Sequence, residues 1–388
     1  MYRARGDLAG VLAVRRVLIL GAGLIGTSVA LALREHDVAV ALSDPDPAAV
    51  RLACDLGAGA DFAPDEPAGA SAGAVGIRTP VDVAIIAAPP AAVPHVLRRA
   101  QNQGLAHVYT DVASVKTWVV EEARRAGCDM ATFVPGHPMG GRERGGAGAA
   151  RADLFLGRPW ALCATDKTDA EAVRLVTELV TRTGAHLLHL SAGEHDRAVA
   201  LVSHAPHLAA AAVAARLLDG TDSALGLAGQ GIRDVTRIAA GDAQLWTEIA
   251  GYNSVPVAWE LERLAADIGS AATALRSGTC VQGVAAQADR ETVRHLLERG
   301  RQGQRRLPEK HGAGRAPNYT VVSVVIPDEP GSLAELFHEA GTANVNIEDV
   351  RLDHSPGLPV GVAQLSVLPQ AAPQLTRILT EQGWSVHT

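Results

Sequence analysis

Short apolar runs alternate with amphipathic stretches through the first half of the chain. Residues 17–20, 38–42, 83–87 and 107–111 have the length and continuity of strands buried on both faces. Between them, 24–34, 47–56, 91–101 and 115–126 have helical length and spacing. This alternation predicts a doubly wound α/β domain around a parallel sheet. Residues 132–135 and 160–164 predict two more strands, and 185–190 the strand that ends the sheet. After Ser191 the pattern changes. Residues 194–218 predict a long alanine-rich helix, and 223–301 carry Ala, Leu and Val at helical spacing, so 191–300 reads as an all-helical domain able to dimerise. Residues 301–318, "RQGQRRLPEKHGAGRAPN", are basic and punctuated by Gly and Pro, as in a linker. Beyond it, strands at 319–326, 346–353, 360–368 and 384–387 and helices at 331–340 and 372–382 predict a ferredoxin-like βαββαβ unit over 319–388.

Composition narrows the classes. The chain has 388 residues, 47% hydrophobic and 20% charged, enough for several packed domains. A net charge of -7 without a basic stripe, and only 3% aromatic residues, argue against a nucleic-acid partner. Cys54, Cys128, Cys163 and Cys280 are scattered without a Cys-x-x-Cys pair, which favours neither a zinc site nor a disulfide framework. Apolar runs are broken by charge before about 18 residues, so no membrane span is expected. The basic, then apolar start is interrupted by Arg15 and Arg16 and runs straight into a glycine motif. It reads as an extension ahead of the first strand (1–190 forming the first domain), and a cytoplasmic enzyme is expected.

The glycine motif is "VLILGAGLIGTSVALAL". Gly21, Gly23 and Gly26, with Leu24 and Ile25 between them, stand between a strand and a helix. Such a loop permits a tight turn, a close approach to a pyrophosphate and close helix packing, with the phosphates on the helix N-terminus. Asp44 follows 18 residues after Gly26, at the end of the next strand, where a carboxylate accepts bonds from a ribose and repels a 2'-phosphate. This favours NAD over NADP. A flavin, or a tight turn that binds nothing, remains open on these residues alone. In "AIIAAPPAAV", Pro89 lies at a strand's carboxyl end, beside the ligand crevice of such folds. In "TDVASVKTWV", Ser114 precedes a helix and reads at least as its N-cap.

"GHPMGGRERGGAGAARADLFLGRPW" places His137 after a strand and ahead of a glycine-rich run. There a histidine can take a hydroxyl proton near neutral pH while hydride leaves the same carbon. In "GEHDRAVALVSHAPHLAAAA", His195, His204 and His207 lack an H-E-x-x-H arrangement, which counts against zinc. His195 and His207 are 12 residues apart, with Pro206 expected to kink the helix. Polar groups in so apolar a helix call for a partner, and a bound anion is a natural one. Arg233 and Arg237, four apart, share a helical face and can grip a carboxylate or form surface salt bridges with Asp234.

Taken together, "GAGLIGTSVALAL", "DVASVK", "GHPMGGRERGG", "HDRAVALVSHAPH" and "IRDVTRIAAGD…W" resemble the prephenate/arogenate dehydrogenase family of tyrosine biosynthesis, in the family's order over nearly the whole chain. The resemblance implies an NAD-binding Rossmann domain followed by a helical dimerisation domain. It implies oxidative decarboxylation of prephenate to 4-hydroxyphenylpyruvate, or the same reaction on arogenate or a 4-amino-4-deoxy analogue. It implies that His137 is the catalytic histidine and Ser114 its helper. It further implies that Arg237 holds a substrate carboxylate, that His207 and Trp246 line the pocket and that His195 supports them. Residues 319–388, with "DEPGSLAEL" and "NVNIEDV", resemble an ACT regulatory domain. There Asp328, Pro330, Gly331, Asn344 and Asn346 would meet an aromatic amino acid effector, the alternative being a unit that only dimerises. Two positions depart from the family pattern: Ala243 follows Asp242 where Pro is common, and Gln230 stands where a glycine is common. A β-hydroxyacid dehydrogenase would need a lysine in the helical domain, and 191–300 has none. A non-catalytic nucleotide sensor would not need Ser114, His137, His207 and Arg237 together.

Overall fold

A computed structural model describes residues 14–62, 79–141, 145–278, 284–307, 319–354 and 359–387. The N-terminal extension 1–13, Arg142–Arg144 of the glycine run, Cys280 and positions 308–318 of the expected linker lie outside the described residues. The chain forms two compact units, Met1–Ser270 and Ala271–Thr388.

In the first unit, β1 (Arg16–Leu20), β2 (Ala39–Ser43), β3 (Ala60–Asp61), β4 (Val81–Ile86), β5 (Ala106–Asp111) and β6 (Phe133–Val134) form one parallel sheet ordered β3-β2-β1-β4-β5-β6. This is the strand order of a dinucleotide-binding doubly wound fold. Alternation along the strands sends side chains to two cores. Val17, Ile19, Val83 and Ile85 pack under α1 (Leu24–Arg34), α2 (Pro47–Asp55) and α5 (Ala170–Arg182). Leu18, Ala84 and Ile86 pack under α3 (Val93–Asn102) and α4 (Thr117–Arg125).

The late strands correct the sequence expectation. β7 (Gly136–Pro138), β8 (Pro159–Leu162) and β9 (His186–His189) leave the main sheet and form a second one, β7 and β8 antiparallel, β8 and β9 parallel. Apolar runs alone do not say which sheet a strand joins. Here Gly136, first residue of β7, lets the chain pass close to β5, since a Cβ there would lie 2.9 Å from the Asp111 carbonyl oxygen.

The expected long helix is three segments: α6 (Ala192–Val199), a π-helical turn (Ala200–His204) and α7 (Ala205–Arg216). Ser191 and Glu194 form a capping box that starts α6. Pro206 has no N–H to return to the carbonyl four residues back, and the wide turn sits just before it. By length and composition the stretch Ala192–Asp219 could cross a membrane. Its His195, Asp196, His204 and His207 are buried, with His195, Asp196 and His204 hydrogen-bonded within the unit, while Leu201, Val202 and Leu218 are exposed. The unit continues through α8 (Asp222–Leu225), α9 (Gln230–Thr236), a 3-10 turn (Arg237–Ala240), α10 (Ala243–Tyr252) and the start of α11 (Ser254–Gly278).

In the second unit, α12 spans Val284–Gln304, so the first positions of the expected linker are helical. β10 (Thr320–Pro327), α13 (Ser332–Thr342), β11 (Asp349–His354), β12 (Val360–Val367), α14 (Ala372–Glu381) and β13 (Ser385–His387) give the expected βαββαβ order. Their antiparallel sheet is ordered β11-β12-β10-β13. β11 starts later than the pattern predicts, because Asn346 turns back to give its side-chain N–H to Glu348 at 2.7 Å.

Candidate active site

The glycine loop joins β1 to α1. Gly21 has φ +124°, and a Cβ there would lie 2.2 Å from the Ala87 carbonyl oxygen. A Cβ on Gly26 would come within 2.0 Å of the Gly21 carbonyl, so both glycines are sterically required. A Cβ on Gly23 would meet nothing within 4 Å, so the loop is open on that side. Leu24 and Ile25 are the half-buried first residues of α1. Asp44, just past β2, accepts the Ala22 N–H at 2.7 Å, which holds its carboxylate beside the loop. Pro89 is exposed beyond the carboxyl end of β4. An open cradle, a helix N-terminus and an adjacent carboxylate fit a dinucleotide, with the phosphates on α1 and the ribose towards Asp44.

Past the carboxyl ends of β5 and β6, four distant segments converge. Lys116 and Asp111 form an ion pair with both side chains fully buried. Lys116 Nζ also donates to the Gly136 carbonyl at 2.6 Å, and Asp111 Oδ1 accepts the Gly136 N–H at 3.0 Å. The pair thus grips both sides of the residue before His137. His137 is buried, and its Nδ1 lies 2.8 Å from His195 Nε2. His195 Nδ1 in turn lies 2.8 Å from Asp196 Oδ1. Asp196 also accepts the Lys116 and Thr117 N–H groups, each at 2.8 Å. It therefore caps α4 from 80 residues away. This corrects the reading of Ser114 as the N-cap: α4 begins at Thr117, and Ser114 is half-buried in the loop before it. Asn253 donates to the Asp196 carbonyl at 2.8 Å and lies 3.1 Å from His204 Nδ1.

The electrostatics follow from this crowding. Burial, then the neighbouring His195, Lys116 and His204, hold the His137 imidazole well below its ordinary value, so the ring is neutral at physiological pH. Burial lowers His204 to about 4. Burial also lowers His207. Burial pushes the Asp196 carboxyl up, but hydrogen bonds from His195, Thr117 and Lys116 outweigh it and leave it below the usual range.

His207 stacks on Trp246 with ring centroids 3.6 Å apart, and His204 meets the same indole edge-on at 6.1 Å. The π-turn brings His195 and His207 towards the same side of the helix. At about 100° per residue, 12 residues of α-helix would set them about 120° apart, and one residue absorbed by the wide turn reduces this to about 20°. Each of the three histidines of this stretch is engaged: His195 with His137 and Asp196, His204 with Asn253, His207 with Trp246. Among the described residues no group of His, Cys, Asp or Glu is arranged for a metal.

Arg237 opens the 3-10 turn after α9 and is exposed, as is Arg233, and the structure sets neither against His137. Asp234 is engaged by Gln230 at 2.8 Å. Asp111, Lys116, Asp196 and Asn253 were not singled out from the sequence. "TDVASVK" and "EHD" contain three of them, but their pairing is set by the fold.

The chain is similar to known proteins along most of its length. Residues 29–189 match the family model for the nucleotide-binding domain of prephenate dehydrogenase, and 191–291 match that for its dimerisation domain. The probable prephenate dehydrogenase NovF of Streptomyces niveus is 36% identical over 376 residues, covering 97% of this chain and 100% of its own. A prephenate dehydrogenase of Bacillus subtilis is 28% identical over 87% of each chain. A crystal structure of prephenate dehydrogenase from A. aeolicus with hydroxyphenyl propionate and NAD+ shares the fold at TM-score 0.63 and 24% identity, over 76% of this chain and 98% of that one. Similarity that spans both chains almost end to end, with two family models matched in order, makes this chain a member of the prephenate dehydrogenase family of NAD-dependent oxidoreductases.

Proposed function

We propose that the chain catalyses oxidative decarboxylation of prephenate to 4-hydroxyphenylpyruvate, with His137 as the group that takes the ring-hydroxyl proton. The observation that carries this reading is a neutral, buried histidine, backed by a second histidine and a carboxylate, just past the carboxyl edge of the nucleotide-binding sheet. NAD, when bound, supplies the acceptor for the hydride that leaves the hydroxyl-bearing ring carbon. His137 Nδ1 is occupied by His195, so Nε2 is the atom left for the substrate hydroxyl. As the hydride departs, His137 takes the hydroxyl proton and the carbon–oxygen bond gains double-bond character. The ring carboxylate then leaves as carbon dioxide, and its bonding pair makes the ring aromatic. The oxygen recovers its proton from His137, so no net base is consumed. Ser114 helps to orient the hydroxyl, and His207 and Trp246 wall the ring. Arg237 holds the side-chain carboxylate, which stays, so its binding energy does not oppose the departure of the other. Gly21, Gly23, Leu24, Ile25, Gly26, Asp44 and Pro89 form the nucleotide site.

The molecule is read as a cytoplasmic homodimer. The match of 191–291 to a dimerisation domain supports the dimer, and the free thiols of Cys54, Cys128 and Cys163 suit a reducing compartment. Residues 319–388 are read as an ACT domain that binds an aromatic amino acid, tyrosine first, biasing the enzyme between two conformations. Gly331, at φ +101°, turns the chain into α13 after Asp328 and Pro330, and Asn344 sits at φ +53°. The βαββαβ order supports this reading.

The test is a steady-state assay of the full chain with prephenate and arogenate, each with NAD and NADP, repeated with tyrosine, phenylalanine and tryptophan. Prephenate with NAD should give the highest kcat/KM, and tyrosine should lower it. Higher turnover of arogenate would move the substrate to the amino analogue and leave the chemistry at His137 unchanged.

A further inference from the structure

We propose that Asp196, acting through His195, sets the tautomer of His137 and is a positioning residue for the proton-accepting step. The proposal rests on the reading of His137 as the proton acceptor.

The argument starts from donors that cannot change roles. The Lys116 and Thr117 backbone N–H groups both point at the Asp196 carboxylate, at 2.8 Å each. Held by two amides, the carboxylate is an acceptor. His195 Nδ1, 2.8 Å from Oδ1, must then carry the hydrogen. In a neutral imidazole this leaves a lone pair on His195 Nε2. That atom lies 2.8 Å from His137 Nδ1, which must donate. The consequence is a lone pair on His137 Nε2, the one ring nitrogen left for substrate. Without the carboxylate, His195 could present a hydrogen at Nε2. His137 Nδ1 would then accept, and its Nε2 would carry a proton and be unable to take another.

The same chain serves the charged state. Once His137 has taken the proton, its Nδ1–H still points at His195, whose own Nδ1–H points at Asp196, so the new positive charge faces a carboxylate two rings away. The carboxylate is itself fixed. The Asp196 backbone carbonyl is held by Asn253, and its side chain is 5% exposed. The charged and titratable groups facing His137 from the packed elements are His195 and Asp196 on α6, Lys116 and Asp111 around the β5–α4 loop, and His204 on the π-turn. Cys163, beyond β8, has its thiol pushed by burial to about 12 and stays neutral. Lys116 is already paired with Asp111, so Asp196 is the carboxylate available to the histidine chain.

The experiment compares wild-type, Asp196→Asn and His137→Asn enzymes, each saturated with NAD. Asp196→Asn should lower kcat by roughly 10²–10⁴-fold while NAD affinity and the KM of the substrate stay within a few-fold, the scale of losing a correctly oriented general base. The acid limb of its pH–rate profile should move to lower pH, because the imidazolium loses its carboxylate. A purely structural cap on α4 would leave that limb in place. Asp196 also caps α4, so nitrogen-15 NMR of the histidine rings in the unmodified holoenzyme gives a second measurement. It should show His137 protonated at Nδ1 near neutral pH. A wild-type His137 protonated at Nε2 would overturn the proposal. So would an Asp196→Asn enzyme that keeps more than a tenth of wild-type kcat while His137→Asn is inactive. An active His137→Asn would instead remove the proton-acceptor reading, and the proposal with it.

Discussion

The two halves of the first unit use their apolar residues differently. Among the described residues of 14–190, most large apolar side chains are buried or half-buried in the two cores flanking the parallel sheet, and the exposed ones are Leu52, Leu56, Leu156 and Leu188. In 191–270, Leu201, Val202, Val213, Leu218, Leu227, Val235, Val255, Trp259 and Ile268 are all exposed. Beside a few buried apolar residues such as Val199, Ile249 and Val257, that half buries five polar ones: His195, Asp196, His204, His207 and Asn253. The nucleotide-binding half is a self-sufficient core. The helical half turns its chemistry inward and its apolar surface outward, the distribution expected of a segment completed by a partner. A site built on such a segment needs an anchor in the rigid half. Lys116 and Asp111 supply it by gripping Gly136, and α4 supplies it by offering its first N–H groups to Asp196.

Three variants probe this division. The largest effect is expected at the anchor. Lys116→Met strands a buried Asp111 carboxylate and should cost about 3–5 kcal/mol of stability, read as a lower denaturation midpoint. A change under about 1 kcal/mol would mean the pair is not what holds the rigid half to the site. Next, Arg237→Ala alters an exposed residue of the helical half. Substrate KM should rise by roughly 10–150-fold at nearly constant kcat, the scale of one lost charged contact. An unchanged KM would pass the role to Arg233 or another cation. The smallest effect concerns the outward face. Leu218→Glu with Leu227→Glu, each leucine 87% exposed, should weaken self-association by at least about tenfold in sedimentation while NAD affinity is unaltered. A dimer of wild-type strength would place the interface elsewhere on the helices.

How much of this could be read in the chain follows the same division. The glycine loop, Asp44 and strands β1, β2, β4 and β5 are local patterns, and the structure has them within a residue or two, while the two-residue β3 was not predicted. β7 to β9 look like more of the same sheet in one dimension, and only the pairing of the fold shows that they form a second one. His137 was legible as chemistry, but its partners were not. Asp196 lies 59 residues on, and nothing in "GEHDRA" says that its carboxylate will cap a helix begun at Thr117. Ser114 looked like that cap because a hydroxyl before a helix is the local solution, and a distant carboxylate supplied another. The π-turn was invisible to a 3.6-residue period, although Pro206 marked its position.

The account turns on one residue, and the first turnover of His137→Asn tests it most directly. Mixed with saturating NAD and prephenate, the variant should form NADH roughly 10²–10⁴ times more slowly than the wild type, with NAD affinity unchanged. A first turnover that keeps more than a tenth of the wild-type rate would contradict the account, because the buried chain from Asp196 through His195 would then end on a residue that takes no proton.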